Sequence, residues 1–269
     1  MVTDWDYMEK IWYHTFYNEL RVDPAEHPVL LTEVSKDNRR NREKMIQILF
    51  ETFDVPSFYV CMQSVLSLSP LGRTTEIVCE IDGSSNQVVP IFENCVINKA
   101  IRKSLMSVRD IKAKCTYVAL DYDSELQKVK HSSECDITYN LPDGNVITIN
   151  DQRFRCPELL FKPLKNGFEL DGIDQTIYNS IMKCNIGARK DFYSNIFLYG
   201  GCTLFEGLPE RIEKEINIYI LAPPTIKTKV FAPQERKYSA WIGGSIFASL
   251  PDFPNRVIIT QDEYNQKCF

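Results

Sequence analysis

The stretch from Asn195 to Ile216 constrains the fold more than any other part of the sequence. It begins with an unbroken apolar run, Ile196 to Tyr199, which predicts a short strand buried on both faces. Gly200 and Gly201 follow, and a backbone without side chains can turn tightly there or approach a ligand closely. Pro209 then opens a predicted helix, because isoleucines recur at every fourth residue after it. The stretch therefore predicts a strand, a glycine turn and a helix in succession.

This arrangement has two interpretations. A glycine turn before a helix can present backbone N–H groups, and the positive end of the helix dipole, to a nucleotide. The alternative is a buried turn that only connects a strand to a helix. A single Gly-Gly pair does not decide between them.

Helices and strands alternate along the rest of the chain, which predicts α/β layers. Asp4 or Thr3 caps a first helix in which Trp5, Met8, Trp12 and Phe16 share one face. A boundary is predicted between Pro70 and Gly72. Beyond it, two strands, Thr74 to Glu80 and Val88 to Phe92, flank a polar turn.

The next part of the chain is less regular. A basic helical stretch is predicted from Lys99 to Tyr117, and a hairpin around Pro142-Asp143-Gly144. The segment from Arg153 to Pro163, rich in Phe and Pro, is predicted to be irregular. Helices are predicted from Ile173 to Cys184 and from Trp241 to Leu250.

Charge and hydropathy exclude some classes of protein. The net charge of -5 argues against a nucleic-acid binder, because such proteins neutralise phosphates with Lys and Arg. No window of about 18 apolar residues predicts a membrane span. Residues Met1 to Lys10 lack the basic start and apolar run of a secretory signal.

The nine cysteines predict neither disulfides nor a metal centre. Their number is odd and no CxxC pair occurs, while the three histidines are scattered. Cys61, Cys79 and Cys115 lie inside apolar runs, as small core residues do. This pattern is typical of a reduced, cytoplasmic protein.

Eight runs, spread over nearly the whole chain, carry a specific resemblance. They are Trp5 with Met8 to Trp12, His14 to Val22, His27 to Glu33, Arg153 to Glu158, Asn179 to Cys184, Glu235 to Ser239, Trp241 to Ile246, and Lys267 to Phe269. These runs resemble actin. The chain is identified as a divergent member of the actin family, an actin or actin-related protein that is shortened at its N-terminus.

The resemblance implies an α/β fold of two domains with ribonuclease-H-like mixed sheets and a nucleotide cleft. The small domain would comprise residues 1–70 and 239–269, and the large domain residues 71–238. The family's N-terminal segment has no counterpart before Val2, so we expect an incomplete small domain with an exposed apolar sheet edge. A family insertion is missing between Asn98 and Arg109, so we expect a shortened outer lobe around residues 98–167.

The phosphate hairpin implied by the resemblance is altered. Where the family reads Asp-Ser-Gly-Asp-Gly, this chain has Glu80-Ile81-Asp82-Gly83-Ser84, and Gln87 replaces the hairpin's histidine. Glycines let successive N–H groups close around phosphate oxygens, whereas a carboxylate in their place repels phosphate. We therefore expect Asp82-Gly83 to be a structural turn.

Other positions of the nucleotide pocket match the family. The implied nucleotide contacts are Lys112, Gly200, Gly201, Thr203 and Lys237. Gln63 matches the glutamine that orients the attacking water. Each has a structural alternative, since Gln63 can end a strand and the two lysines can be solvated or paired with acids. We assign no catalytic residue and no metal ligand.

An apolar groove for partner helices is also implied. Its residues here are Gly72, Thr74, Ile246, Leu250 and Phe253. Charges at Asp252 and Arg256 leave the choice of partner open. The alternative interpretation is that the apolar residues of this groove form a core between the two domains. The expected partners are actin or actin-binding proteins, with no nucleic acid and no membrane span.

Two functions follow from the resemblance. The first is an actin-like cytoskeletal or interaction protein with a degenerate nucleotide site that neither hydrolyses ATP nor polymerises alone. The alternative is a functional ATP-binding actin that forms or joins filaments. The family cofactor is ATP or ADP with a divalent cation, and the altered hairpin argues against triphosphate binding. The product of a decayed duplicate that scarcely folds is a further alternative, and enzymatic activity stays undecided.

Overall fold

The computed structural model describes residues 2, 4–34, 39–82, 86–104, 115–132, 135–140, 144–219, 227–251, 253 and 259–267. Helices and strands are interleaved throughout these residues, and parallel and antiparallel strand pairs occur in the same sheets. The predicted α/β fold is confirmed. The chain divides into two compact units, which we call unit 1 (residues 1–70 and 240–269) and unit 2 (residues 71–239).

Unit 1 is built around a small sheet. Its helices are α1 (Trp5–Tyr13), a π-helix (His14–Leu20), α2 (Arg39–Glu51), α3 (Gln63–Leu66), α9 (Ser239–Ala248), which enters the unit at residue 240, and α10 (Gln261–Lys267). Its strands are β1 (Val29–Glu33), β2 (Ser57–Met62) and β11 (Ile259–Thr260), in the order β1-β2-β11. β1 runs parallel to β2, with Val29 opposite Phe58, and β11 runs antiparallel to β2.

The first helix follows its sequence pattern. The Asp4 side chain accepts a hydrogen bond from the Tyr7 N–H at 3.0 Å, which satisfies one of the unpaired donors of the first turn. The predicted apolar face of α1 packs on a core that includes Leu49, Phe50 and Phe58. Trp12 is buried in that core, so burial of this face holds the helix in place.

Gly243 in α9 lies against the carbonyl of Leu66. A Cβ atom built on Gly243 would lie 1.8 Å from Leu66 O, whereas one on Gly244 would meet only side-chain carbons at 3.6 Å. We expect Gly243→Ala to lower the free energy of unfolding of unit 1 by about 1–3 kcal/mol, because overpacking outweighs the better helix propensity of alanine.

The matched control is Gly244→Ala, for which we expect no loss and a gain of up to about 1 kcal/mol. All three tryptophans, Trp5, Trp12 and Trp241, belong to unit 1, so tryptophan fluorescence during urea unfolding follows this unit. Equal stabilities of the two variants would show that α9 does not pack as closely as described.

Unit 2 contains a larger sheet. Its strands are β3 (Glu76–Ile81), β4 (Asn86–Phe92), β5 (Cys95–Val96), β6 (Arg102–Ser104), β7 (Ile137–Asn140), β8 (Val146–Ile149), β9 (Ile196–Tyr199) and β10 (Val230–Phe231). The main sheet has the order β10-β9-β3-β4-β5, and β6 also pairs with β4. β7 and β8 form a separate antiparallel hairpin, as predicted.

The helices of unit 2 contribute to its core. They are α4 (Tyr122–His131), α5 (Gln152–Glu158), α6 (Ile173–Met182), α7 (Ile186–Ser194) and α8 (Leu208–Tyr219). Every residue of β3 and β9 is buried, which confirms the strand predicted from the apolar run before Gly200. Ile177, Ile181, Ile212 and Ile216 complete the core from the helices.

Two predictions of local structure in unit 2 are wrong. Instead of a helix beginning at Lys99, a 3-10 turn (Asn98–Ala100) leads into β6, where Arg102 lies opposite Val88 of β4. Pairing with β4 satisfies the backbone here, so tertiary contacts decide the structure. Residues 105–114 of that prediction lie outside the described residues.

The second error concerns α5, which forms where an irregular segment was predicted. Pro157 lies inside this helix and cannot donate to the carbonyl of Arg153. The Tyr117 N–H donates to that carbonyl instead, at 3.1 Å. A long-range hydrogen bond thus compensates for the proline, and a local pattern could not indicate it.

Candidate functional site

The carboxyl ends of two neighbouring parallel strands form the candidate site in unit 2. β3 pairs with β9 in parallel, with Glu80 opposite Tyr199, and Gly200 directly follows β9. In α/β sheets, ligands bind outside the carboxyl ends of the strands. The glycine turn and the described part of the altered hairpin, Glu80 to Asp82, therefore lie at this edge.

Gly200 is required by the close approach of β3. Its φ is 101°, and a Cβ atom built on it would lie 2.5 Å from Ile81 O. Its N–H donates to the carbonyl of Arg236 at 3.1 Å. Only glycine accepts this conformation and this close approach of Ile81 O without strain. The N–H of Gly200 already has its acceptor within the protein.

Thr203 is engaged by the turn itself. Its hydroxyl donates to the Gly200 carbonyl at 2.6 Å, and its N–H donates to the same oxygen at 3.1 Å. The residue is buried in a 3-10 turn (Gly201–Leu204). Thr203 therefore closes the turn and does not direct its hydroxyl to a ligand.

Arg236 holds the turn from the other side. Its Nε and Nη2 donate to the Thr203 carbonyl at 3.3 and 3.1 Å, and Nε also donates to Thr203 Oγ1 at 3.1 Å. Its Nη1 donates to the carbonyls of Pro233 and Ala232 at 2.8 and 3.2 Å. Burial lowers the pKa of this guanidinium. No sequence pattern reveals this role of Arg236, because all but one of its acceptors are backbone carbonyls.

A carboxyl and an amide face each other across the hairpin. Gln87 Nε2 donates to Glu80 Oε2 at 2.5 Å, and both side chains are buried. Burial raises the pKa of Glu80 to about 7; the Gln87 hydrogen bond opposes this shift, and the charge of Asp82 adds to it. The carboxyl thus takes up or releases a proton near neutral pH. The sequence does not predict this pairing, because the second strand is predicted to begin at Val88, whereas it begins at Asn86 and places Gln87 opposite Glu80.

A second carboxylate lies beside the glycine turn. A Cβ atom built on Gly201 would lie 3.8 Å from Asp82 Oδ1. Burial raises the pKa of the neighbouring Tyr199, and the charges of Glu80 and Asp82 raise it further. This edge of the sheet therefore concentrates negative charge.

The other predicted nucleotide contacts are distributed as follows. Lys237 follows Arg236 and is exposed, with its Nζ 5.2 Å from the centre of the Tyr238 ring. Gln63 belongs to unit 1, where its Nε2 donates to Thr32 Oγ1 at 3.1 Å. Lys112 lies outside the described residues. Gly83 and Ser84 of the altered hairpin also lie outside them.

The predicted groove residues belong to both units. In unit 1, Ile246 and Leu250 are 43% and 39% exposed, whereas Phe253 is buried and its ring contacts Tyr59 and Phe247. In unit 2, Gly72 and Thr74 are exposed. Asp252 and Arg256 lie outside the described residues.

The described residues of this edge fit a polyphosphate poorly. The N–H of Gly200 and the hydroxyl of Thr203 are used by the protein, and the nearest charged side chains on β3 and the residue after it are carboxylates. Phosphate sites instead need several free N–H donors or cations around the anion.

No group of three or more His, Cys, Asp or Glu side chains in the described part of the chain could hold a metal ion. Among the helices described, none has the length and apolarity needed to cross a membrane.

Comparison with protein families gives a match over nearly the whole sequence. The family model for actin matches residues 1–109 and 105–268. The match includes β3, β4 and the glycine turn after β9, so it covers the candidate site as well as the fold.

Proposed function

Because the chain belongs to the actin family, we propose that it is an actin-like cytoskeletal protein that acts by binding other proteins, without hydrolysing ATP or polymerising alone. The carboxylate beside the glycine turn is the observation that carries this proposal. We further propose that the protein acts in the cytoplasm, in keeping with its reduced pattern of cysteines.

The electrostatic argument concerns Asp82 and Glu80. Asp82 Oδ1 lies close to Gly201, at the sheet edge where a phosphoryl group would approach the turn. Two like unit charges about 4 Å apart repel each other by about 4 kcal/mol at an effective dielectric constant of about 20. Glu80 adds a second negative charge when it is ionised. These charges oppose a triphosphate far more than they oppose an uncharged adenosine.

The hydrogen bonds of the turn support the same conclusion. A catalytic site must hold the phosphates in line with the attacking water, and this needs donors that are not already engaged. Here Gly200 and Thr203 are bonded to Arg236 and to each other. Weak binding of ADP through Gly201 and Lys237 is compatible with the proposal.

The binding role rests on exposed apolar side chains at α9. Trp241 is 74% exposed, and Ile246 and Leu250 are partly exposed. Aromatic and aliphatic side chains that are exposed together are typical of protein-binding surfaces. We propose that this surface takes amphipathic helices of actin-binding proteins or a surface of actin itself.

Calorimetric titration with ATP and magnesium or calcium tests the proposal. We expect binding no tighter than about 1 mM, no phosphate release, and no pelleting of the purified chain when salt and ATP are added. An actin that binds ATP serves as the positive control. Micromolar binding with turnover would instead establish the alternative, a functional ATP-binding actin.

A charge variant tests the physical cause. We expect Asp82→Asn to strengthen ADP binding at least about tenfold, the lower bound when solvent screens most of this repulsion, whereas the exposed Asp123→Asn in α4 should leave it unchanged. Equal affinities in both variants would show that the carboxylate is not what weakens phosphate binding.

A further inference from the structure

The strand β1 of unit 1 has a neighbouring strand on one side only. In the sheet order β1-β2-β11 it lies at the edge, and all five of its residues are partly buried. The outer side of an edge strand carries backbone N–H and C=O groups that can pair with another strand. The residues of β1 whose backbone points outwards therefore determine what this edge can bind.

The hydrogen bonds of β2 show which side of β2 faces β1. The Gln261 N–H donates to the Pro56 carbonyl at 3.2 Å, which marks these two residues as a hydrogen-bonded pair of the antiparallel ladder. Two residues further along, Ile259 and Phe58 lie opposite each other and are a pair of the same kind. The backbone groups of Phe58 thus face β11, and those of the next residue, Tyr59, face β1.

The backbone direction in β1 follows from this. In a parallel ladder, a residue bonds to the two neighbours of the residue opposite it. Tyr59 lies opposite Leu30, so it bonds to Val29 and Leu31, whose backbone groups face β2. The N–H and C=O groups of Leu30 and Thr32 therefore point away from the sheet. Among the described residues, no backbone group outside β1 and β2 bonds to them.

Side chains hold β1 in place on both faces. Val29 and Leu31 pack on the core of unit 1 with Leu49. On the opposite face Leu30 lies beside α9, since a Cβ atom built on Gly244 would be 3.6 Å from Leu30 Cδ2. The strand is therefore ordered before a partner arrives, and little conformational entropy is lost on binding.

The edge lacks the features that usually prevent strand pairing. Edge strands are commonly protected by lysines, by prolines or by bulges. The sequence of β1 is VLLTE, and its register with β2 is continuous. Its single charge, on Glu33, is bound by Arg42, which donates to both carboxylate oxygens. A second strand therefore meets no proline, no bulge and no unpaired charge within β1.

We propose that a second copy of this chain pairs with this edge, with the two β1 strands antiparallel about a two-fold axis at Leu31. In this register Leu30 of each copy lies opposite Thr32 of the other. Each copy contributes two N–H and two C=O groups, so four hydrogen bonds satisfy every outward group of these two residues. The backbone dipoles of this edge are thus complementary to those of its own copy, and this register selects a second copy as the occupant.

The assembly would be a closed dimer. Both copies use the same patch in a two-fold interface, so no β1 edge is left for a third copy. Pairing of two short strands gives a small interface, and small interfaces are transient. We therefore expect a Kd of about 10–100 µM. The dimer goes beyond the proposed function and is compatible with a chain that does not polymerise alone.

Sedimentation velocity of the full chain at concentrations from about 1 to 200 µM measures the dimer, and amide hydrogen exchange followed by NMR identifies the edge. We expect monomers at the lowest concentration and dimers at the highest. Exchange of the Leu30 and Thr32 amides should slow as the dimer forms. The Leu31 amide, which bonds to β2, should be protected at every concentration.

A matched pair of variants at Thr32 tests the register. Thr32→Pro removes the outward N–H but no hydrogen bond between β1 and β2, and it should weaken the dimer at least about tenfold. Thr32→Val keeps this N–H and removes only the hydroxyl that accepts from Gln63 Nε2, so it should retain the Kd of the parent chain. Circular dichroism checks that both variants are folded.

Several results would overturn the proposal. One is a parent chain that stays monomeric at about 200 µM, and another is equal dimer affinity in the two variants. A dimer in which the Leu30 and Thr32 amides exchange as fast as in the monomer would place the interface elsewhere. Protection of these amides at every concentration would assign the edge to another segment of the same chain. Protection only after actin is added would assign it to a different protein.

Discussion

Replacing Arg211 by alanine is expected to lower the free energy of unfolding of unit 2 by about 3–5 kcal/mol, the range for breaking a buried ion pair. Arg211 is buried in α8 and contacts two carboxylates. It holds Glu158 through two hydrogen bonds of 3.1 Å, and its Nε donates to Glu215 Oε1 at 2.6 Å. Without the guanidinium, both carboxylates would be left with little compensation in a poorly solvated environment.

The arginine also connects parts of the chain that are distant in sequence. Its Nη1 donates to the carbonyl of Ala119 at 2.6 Å, and its guanidinium lies 4.8 Å from the centre of the Phe161 ring. The residue thus ties α8 to α5 and to the segment before α4. Alanine would remove this packing in addition to the charge, which adds to the expected loss.

Urea unfolding measured by circular dichroism tests this prediction. The matched control is Lys128→Ala, which removes an exposed ion pair with Glu125 and should cost no more than about 1 kcal/mol. Tryptophan fluorescence, which follows unit 1, should change little in the Arg211 variant. A loss below about 1 kcal/mol for Arg211→Ala would show that the network is solvated and contributes like a surface pair.

A double variant separates the cost of an unpaired buried carboxylate from the cost of lost packing. Replacing Arg211 by Met and Glu158 by Leu together should cost less than Arg211→Met alone, because no carboxyl is then left at position 158 without its partner. Equal losses would show that packing of the arginine, and not its charge, determines the effect.

Local patterns are enough to predict some elements of this fold. The run from Ile196 to Tyr199 is apolar at every position, and this property is enough to predict β9. Its burial follows from the same pattern, since a strand covered on both faces has no polar side. The hairpin of β3 and β4 is predicted as well, but the predicted start of its second strand at Val88 misses the register that brings Glu80 and Gln87 together.

Other elements depend on contacts between distant residues. α5 tolerates Pro157 because Tyr117 supplies the missing hydrogen bond, and β6 forms because Arg102 to Ser104 pair with β4. α7 was not predicted, since its buried residues, Ala188, Phe192 and Tyr193, form only a narrow apolar stripe. In the candidate site, Arg236 acts on backbone carbonyls, which are present at every residue and carry no sequence signal.

The pH dependence of stability should identify Glu80 as a buried titrating group. Its pKa is about 7 in the folded protein, above the value of 4.5 for an exposed glutamate. Between these values the folded state binds more protons than the unfolded state, so stability falls as the pH rises. The stability that protonated Glu80 contributes is fully present below pH 4.5 and is lost above about pH 7. The shift corresponds to a loss of about 3 kcal/mol.

Glu80→Gln should remove this part of the pH dependence. A glutamine at position 80 can accept the hydrogen bond from Gln87 Nε2. It carries no charge at any pH, and in this respect it resembles protonated Glu80. We therefore expect the variant to match the parent chain near pH 4.5 and to be more stable by up to about 3 kcal/mol at pH 8. Burial also raises the pKa of Glu76, Glu158 and Asp174, but these groups are present in both proteins and cancel in the difference.

Urea unfolding by circular dichroism at several values between pH 5 and pH 8 measures the difference, with Glu93→Gln as the control. Glu93 is exposed in the turn after β4, so its variant should follow the parent chain throughout. Parallel curves for Glu80→Gln and the parent chain would mean that Glu80 is ionised over the whole range. The buried carboxyl would then carry its charge at neutral pH, and the candidate site would hold two permanent negative charges instead of one charge and one proton that can be released.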